Sequence, residues 1–198
     1  MRQAQEIVRA DPEQAGLVAE LIAEAFVPLP PTVWLIADPE ERRRRLAAHF
    51  VILVEHAFRH GHVELTGEHT AAAVWFHHDG EAELPPPPAY DARLAAAAGP
   101  HLDRFVALDD AFAAHHPHGV HHHLAFLAVR PEHQNQSIGS RLMAAHHERL
   151  DRTGTPAYLE ASSAEARDLY LRHGYRLRGE PFHLPDGPPF WPMWRAPA

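Results

Sequence analysis

Neither cysteine nor lysine occurs among the 198 residues. The first absence excludes a disulfide framework, a thiolate zinc site and a cysteine nucleophile. The second excludes Schiff-base chemistry and the lysine of a phosphate-binding P-loop. Long apolar runs are missing as well: there is no stretch of about 18 uncharged apolar residues. The opening MRQAQEIVRADPEQ also lacks the basic-then-apolar order of a signal peptide. A soluble, cytoplasmic protein without membrane contact is therefore expected. Positive charge is scarce, since the 18 basic residues, all arginine, face 26 acidic ones, for a net −8 with histidine neutral. That balance argues against nucleic-acid binding, which usually needs a basic face. The one basic run, Arg42 to Arg45, reads as a solvated helix face, because consecutive residues point around a helix and cannot form one patch.

What is present in excess is histidine. Nineteen imidazoles would carry the net charge from −8 to +11 if all were protonated, a swing centred near pH ~6.5 for unperturbed groups. With 45% hydrophobic residues the chain is long enough to bury one sizeable core. One domain over residues 1–198 is expected. Periodicity predicts a strand at Gln5 to Arg9 and a helix entered at Asp11-Pro12, with Gln14 closing a capping box. Three prolines break the pattern between Pro28 and Asp38, and a helix runs from Pro39 with Leu46, Phe50, Leu53, Val54 and Phe58 inward. His62–Thr66 and Thr70–Phe76 read as a hairpin, and a helical region spans Asp91 to Ala114 with a break at Gly99-Pro100. After it come a strand at Leu124–Val129, a helix from about Ser137 to Arg152, a strand at Ala157–Glu160 and a helix from Ala164 to His173. Final strands lie near Tyr175–Arg178 and Trp191–Arg195. Such an order indicates a mixed α/β domain, helices covering a largely antiparallel sheet.

The chemistry concentrates in LAVRPEHQNQSIGSRL, Leu127 to Leu142. A buried strand runs into a short polar loop that opens an amphipathic helix, leaving backbone N–H groups of the loop and first turn converging on one place. Such an array, aided by the helix dipole, binds phosphate groups. No Walker lysine and no GxGxxG pattern is present.

This segment resembles motif A of the GCN5-related N-acetyltransferases (GNATs), V-x-P-x-x-[QR]-x-x-G-x-[GA] followed by a helix. Val129, Pro131, Gln134, Gly139 and Leu142 match, while Ser137 stands for the first glycine of the core and Asn135 for another frequent glycine. The resemblance implies acetyl-CoA as cosubstrate. Gln134, Asn135, Gln136, Ser137, Ile138, Gly139, Ser140 and Arg141 would wrap its pyrophosphate, and the backbone of Leu127, Ala128 and Val129 would pair with the pantetheine arm like an added strand. A Cβ at Ser137 can crowd the phosphate or resist a positive φ, yet its hydroxyl can donate to a phosphate oxygen. A second block, PAYLEASS followed by ARDLYLRHGY, resembles motif B of the same family. By that resemblance Tyr170 lies near the cofactor sulfur and protonates the departing thiolate, a task that suits a phenol. As a plain sequence feature, Tyr170 is equally a core residue of its helix. The tail from Tyr175 to Arg195 is similar to the C-terminal end of the puromycin N-acetyltransferase group of actinobacterial enzymes.

A base is needed for the attacking amine. Glu160 ends an apolar strand, where desolvation can raise a carboxyl pKa, and it could equally face solvent. The competitor is His121, since relatives often carry a histidine followed by two aromatics there, and here the three positions are His121, His122 and His123. In this fold the acceptor pocket is usually built from the first two helices and the central strands. Phe26, Trp34, Trp75 and Phe76 are the aromatics placed to line it. Six histidines among residues 115–123 invite a metal reading, but no spaced ligand motif appears and no metal is expected.

These readings converge on a GNAT fold, with the acceptor side in about residues 1–120 and the acetyl-CoA motifs in about 121–198. The expected activity is acetyl transfer to a small-molecule amine, such as an antibiotic or metabolite, by direct attack in a ternary complex. Two alternatives stay open: a non-catalytic acyl-CoA-binding or regulatory module, and a histidine-rich metal-binding protein. A homodimer is implied by family habit alone.

Overall fold

The computed structural model of the chain describes residues 6–198, so Gln5, the expected start of the first strand, lies outside the described residues. The order is β1 (Ile7–Arg9), α1 (Ala15–Phe26), α2 (Pro30–Leu35), α3 (Pro39–His60), β2 (Gly61–Thr66), β3 (Ala71–Asp79), α4 (Tyr90–Ala98) and α5 (Leu102–His115). It continues with β4 (Val120–Val129), α6 (Ile138–Thr153), β5 (Ala157–Ala161), α7 (Ala164–Arg172), β6 (Arg176–Leu177), β7 (Phe182–His183) and β8 (Pro189–Arg195). The expected mixed α/β architecture is present.

Local chemistry sets the helix boundaries. The Asp11 N–H donates to Gln14 Oε1 at 2.9 Å ahead of α1, and Asp38 Oδ1 accepts from Glu41 N at 2.7 Å at the start of α3, each satisfying a donor that a helix start leaves without a partner. The proline-rich break is itself helical: Pro30 and Pro31 open α2, where the missing N–H groups cost nothing. The arginine run does not form one solvated face. Arg42 is buried, and its guanidinium donates to the carbonyls of Ile36 and Ala37 at 2.5 and 2.9 Å. Arg45 reaches Glu41 at 2.6 Å and the Ala97 carbonyl at 3.0 Å. At the junction of α3 and β2 the chain passes so close to β3 that a Cβ on Gly61 would lie 1.8 Å from the Trp75 carbonyl oxygen, so no side chain fits.

The sheet runs β1-β2-β3-β4-β5-β8-β6, with β7 also paired to β8. All pairings are antiparallel except β4 with β5. Against one face α1, α3, α4 and α5 bury Leu21, Ile22, Leu46, Val54, Phe105 and their neighbours. Against the other, α6 buries Ile138, Leu142, Met143 and Leu150 on Trp75 and Leu159. Each such side chain contributes about 1.5–3 kcal/mol when withdrawn from water. The same α6 stripe also buries His146 and His147, polar positions that the apolar pattern could not place inside. No helix among the described residues is long and apolar enough to cross a membrane.

Two irregularities shape the centre. β3 and β4 pair from Ala71↔Val129 to Asp79↔Val120, but the register shifts between Val74 and Trp75, whose partners are Phe126 and Leu124, so Ala125 is passed over. β4 and β5 pair only through His122↔Ala157 and His123↔Tyr158. Beyond that point they diverge, and the β4 edge from Leu124 to Val129 has no strand beside it.

Candidate active site

The divergence of β4 from β5 opens two cavities that meet at one tyrosine. The first, about 610 Å³, is lined by Leu127 and Val129 of the open edge, by Gln134, Asn135, Ser137, Ile138, Gly139 and Ser140, and by Leu169, Tyr170, Arg172 and His173 of the α7 end. The second, about 320 Å³, lies between α1, α3, α5 and the sheet. Phe26, Leu29, Leu127, Ser162 and Tyr170 line both.

The loop before α6 has the conformation an anion cradle needs. Asn135 has φ 59° and Ser137 φ 60°, both left-handed without glycine. This costs Ser137 roughly 1–2 kcal/mol relative to the right-handed region. The positive φ that a Cβ resists is therefore adopted. The Ser137 side chain makes no capping hydrogen bond. The first N–H groups of α6 have no intrahelical acceptor and carry the positive end of the helix dipole. Gln134 is turned back, its Nε2 donating to the Val129 carbonyl at 3.1 Å. Arg141 donates to the Gln136 carbonyl at 3.3 Å, and Ser140 Oγ lies 2.9 Å from His173 Nε2. Ala128 is buried in the core of the α1/α3 face and is present at the open edge through its backbone.

Tyr170 stands at the junction, brought there by α7, whose first turn is capped by Ser163 accepting from Ala166 N at 3.1 Å. Its ring packs edge-on against Tyr175 at 5.8 Å, and its hydroxyl has no hydrogen-bond partner among the described residues. Burial pushes its pKa upward, so it is a neutral phenol across the physiological range.

The second cavity is mostly apolar, with Phe26, Phe50, Phe76, Phe112, Phe126 and Phe190 among its lining. Its polar side chains are the hydroxyls of Thr32, Ser162 and Tyr170, the carboxylates of Asp109 and Glu160, and the imidazoles of His49, His116 and His123. Glu160 Oε2 lies 2.8 Å from His123 Nε2, and Glu160 Oε1 is buried with no hydrogen-bond partner. Asp109 accepts from the Tyr90 hydroxyl at 2.7 Å, and burial lifts its pKa to about 6. His49 is buried, with Nδ1 unpartnered, and desolvation lowers its pKa to about 4.

Of the four aromatics expected at an acceptor pocket, Phe26 and Phe76 line this second cavity. Trp75 does not. Successive strand residues point to opposite faces, so Trp75, next to Phe76, is wholly buried on the α6 side, stacked on His146 at 4.0 Å. Trp34 is likewise elsewhere: it belongs to α2 rather than to a loop, and its Nε1 donates to the Pro185 carbonyl at 3.1 Å. Of the two candidate bases, Glu160 lines the cavity, whereas His121 is fully buried beside it. His121 Nδ1 meets the Gly119 carbonyl at 2.9 Å and Nε2 meets His116 Nε2 at 3.2 Å. His123, one alternation further along β4 on the same face, is the cavity imidazole that is hydrogen-bonded to Glu160. The i, i+2 spacing of the three-histidine run carried that signal. Asp109 and His116, contributed by α5 and its end, had none.

A family model for the acetyltransferase (GNAT) domain matches residues 101–177. Over its whole length the chain superposes on a histone acetyltransferase HPA2 and related acetyltransferase from Corynebacterium glutamicum, with TM-score 0.76, 24% identity, and coverage of 99% of this chain and 98% of that one. The fold is the GNAT fold. Arylalkylamine N-acetyltransferase 2 from Aedes aegypti matches with TM-score 0.60 at 11% identity over 98% of this chain and 99% of that chain. A PaiA N-acetyltransferase from Thermoplasma acidophilum, solved with coenzyme A, matches with TM-score 0.59 at 11% identity over the same shares. In these terms the open β4 edge and the loop before α6 form the parting of the GNAT sheet, and residues 101–177 contain the cradle, Glu160 and Tyr170.

Proposed function

We propose that the protein is an acetyl-CoA-dependent N-acetyltransferase whose acceptor is a small amine with an apolar body. The observation that carries this reading is the meeting of two cavities at Tyr170, one bordered by an anion cradle and a free strand edge, the other apolar with a carboxylate and an imidazole in its wall. The cradle fits the phosphates of acetyl-CoA through the N–H groups of α6, the left-handed Asn135 and Ser137, and the nearby Arg172 and His173. The unpaired backbone of Leu127 and Val129 fits the amide-bearing pantetheine arm. When bound, the cosubstrate supplies an activated thioester carbonyl. Its pairing with a coenzyme A-bound relative of the same fold agrees with the chemistry of the residues present.

The residues of this chain then divide the work. The aromatic wall excludes water and takes the body of the acceptor, and a volume of about 320 Å³ is at the small end of ligand pockets. Glu160 Oε1, buried without a donor, gains one from the incoming ammonium, and the Glu160–His123 pair accepts its proton. The neutral amine attacks directly; the N–C bond forms and the C–S bond breaks. Tyr170 gives its phenolic proton to the leaving sulfur and is restored by the second proton, which the acylated nitrogen loses as the amide forms, while the first proton passes from the Glu160–His123 pair to solvent. Burial holds the phenol protonated, and the same desolvation raises the proton affinity of a thiolate released beside it.

Thiol release measured with acetyl-CoA and a panel of arylalkyl and aliphatic amines tests the reading. Turnover with an apolar amine, lowered roughly 10²–10⁴-fold in Tyr170→Phe with coenzyme A affinity unchanged, is the expected result. Stoichiometric binding of acetyl-CoA without turnover of any amine would replace it with a non-catalytic acyl-CoA-binding module.

A further inference from the structure

The histidine excess is not spread evenly. β3, β4 and α5 gather it into two groups on opposite faces of the sheet, because His77 and His122 point to the α6 side while His78, His121 and His123 point to the other. On the α6 side the group is closed. Arg149 donates to His146 Nδ1 at 2.8 Å, which leaves the hydrogen of His146 on Nε2, donated to His122 Nδ1 at 2.9 Å. A guanidinium in direct contact also repels a cation. His77, His122 and His146 are therefore a hydrogen-bonded stack rather than a ligand set.

The opposite group has the reverse character. A carbonyl can only accept, so His121 Nδ1, 2.9 Å from the Gly119 carbonyl, carries the hydrogen and leaves a lone pair on Nε2. That lone pair accepts from His116 Nε2 at 3.2 Å, a single neutral hydrogen bond that a bound ion would replace. A carbonyl holding the far nitrogen of an imidazole is the usual support for a metal-ligating histidine, since it fixes both tautomer and ring orientation. Two nitrogens on a tetrahedral zinc ion, with bonds of about 2.0–2.1 Å, are separated by about 3.3 Å, close to the separation observed. His78 packs parallel to His121 at 4.5 Å between ring centroids and 4° between planes. One nitrogen from each of His78, His116 and His121 lies within 4.8 Å of the others. Among the described residues no arginine makes a hydrogen bond or ring contact to the three imidazoles, although the charge of Arg178 is felt at His121. An entry path exists: His78, His116 and Gly119 line a cavity of about 570 Å³ under the Pro85–Pro87 segment.

We propose that His78, His116 and His121 form a binding site for a divalent first-row transition-metal ion, zinc being the probe, with the fourth position open to the cavity beneath Pro85–Pro87. The site joins β3, β4 and the end of α5. His116 also lines the acceptor cavity, so an occupied site stands in its wall. The proposal does not depend on acetyl transfer, and metal binding is read without it. His116, His123 and Glu160 form a second close trio, but His123 and Glu160 already satisfy each other at 2.8 Å, and a metal there would displace that bond.

Untagged, chelator-washed full-length protein titrated with zinc chloride by calorimetry tests the assignment, together with X-ray absorption spectroscopy of the loaded protein. The expected result is a tight event of one ion per chain with an imidazole-rich coordination shell. That event weakens at least tenfold in His78→Gln and in His121→Gln and is unchanged in His77→Gln, with circular dichroism confirming that each variant is folded. If a variant fails to fold, the absorption spectrum of the wild type decides, through the number of imidazoles bound. Zinc uptake only at millimolar concentration, a shell without at least two imidazoles, or a loss that follows His77→Gln instead would overturn the proposal.

Discussion

His49 provides a direct measure of how far the interior of the α1/α3 face excludes water. It is 3% exposed, packs edge-on against Phe105 at 5.1 Å, and has an Nδ1 without a partner. Desolvation lowers its pKa to about 4. The unfolded chain, with an ordinary imidazole near ~6.5, binds the proton more readily than the folded one. The contribution of His49 to stability is therefore complete above pH ~6.5 and is lost as pH falls through that value toward 4. At pH 5 the unfolded imidazole favours the protonated form about 30-fold while the folded one is about one-tenth protonated, which makes the loss about 2 kcal/mol relative to pH 7.5. Replacing His49 with leucine removes that increment and leaves the other titrating groups in place. Urea unfolding of wild type and His49→Leu at pH 7.5 and pH 5.0 reads it as the difference between two pH dependences, so the intrinsic cost of the substitution cancels. The wild type is expected to lose about 2 kcal/mol more than the variant over that interval. Equal losses in the two proteins would refute the dry environment assigned to His49, and with it the picture of the acceptor cavity as an apolar chamber.

Other consequences concern the reaction itself. Glu160→Gln and His123→Asn are each expected to lower kcat about 10²-fold, while His121→Asn, which does not line the cavity, changes the rate far less. An unaltered kcat in the first two would mean that the amine arrives neutral or gives its proton to water. Ser137→Ala should weaken coenzyme A binding about tenfold in a calorimetric titration, because a hydroxyl donating to a phosphate is worth about 1.5 kcal/mol. An unchanged Kd would leave the cradle to backbone N–H groups alone.

Much of the fold could be read from local pattern because local chemistry decides it. The capping residues Asp11 and Asp38, the spacing of Leu46, Phe50 and Val54, and the apolar runs at Ala71–Phe76 and Leu124–Val129 each report their own element. Failures follow where a residue's role is set by something distant. Pro30 and Pro31 looked like breakers but occupy the first turn of α2, the one helical position that tolerates them. β4 begins at Val120, four residues before the apolar run, because its histidines pair with those of β3. Trp75 and Phe76 looked equivalent as aromatics in one apolar run, yet strand alternation allows only one of them to face the acceptor cavity.

The absences that open the sequence, no cysteine and no lysine, bear on chemistry by themselves: they exclude a thiol acetyl-enzyme and a lysine Schiff base. The strand-loop-helix pattern at Leu127–Leu142 likewise marks the cradle without any coordinates, since contiguous residues build it. Tertiary structure alone decided which histidine joins Glu160, that Asp109 from α5 lines the cavity between α1, α3 and the sheet, and that the two cavities meet at Tyr170. It also converted an unpatterned surplus of histidine into two groups of opposite character. The physical reason is that these sites are assembled across strands and helices far apart in the chain. Their chemistry depends on which lone pair faces which neighbour, and no spacing along the sequence records that.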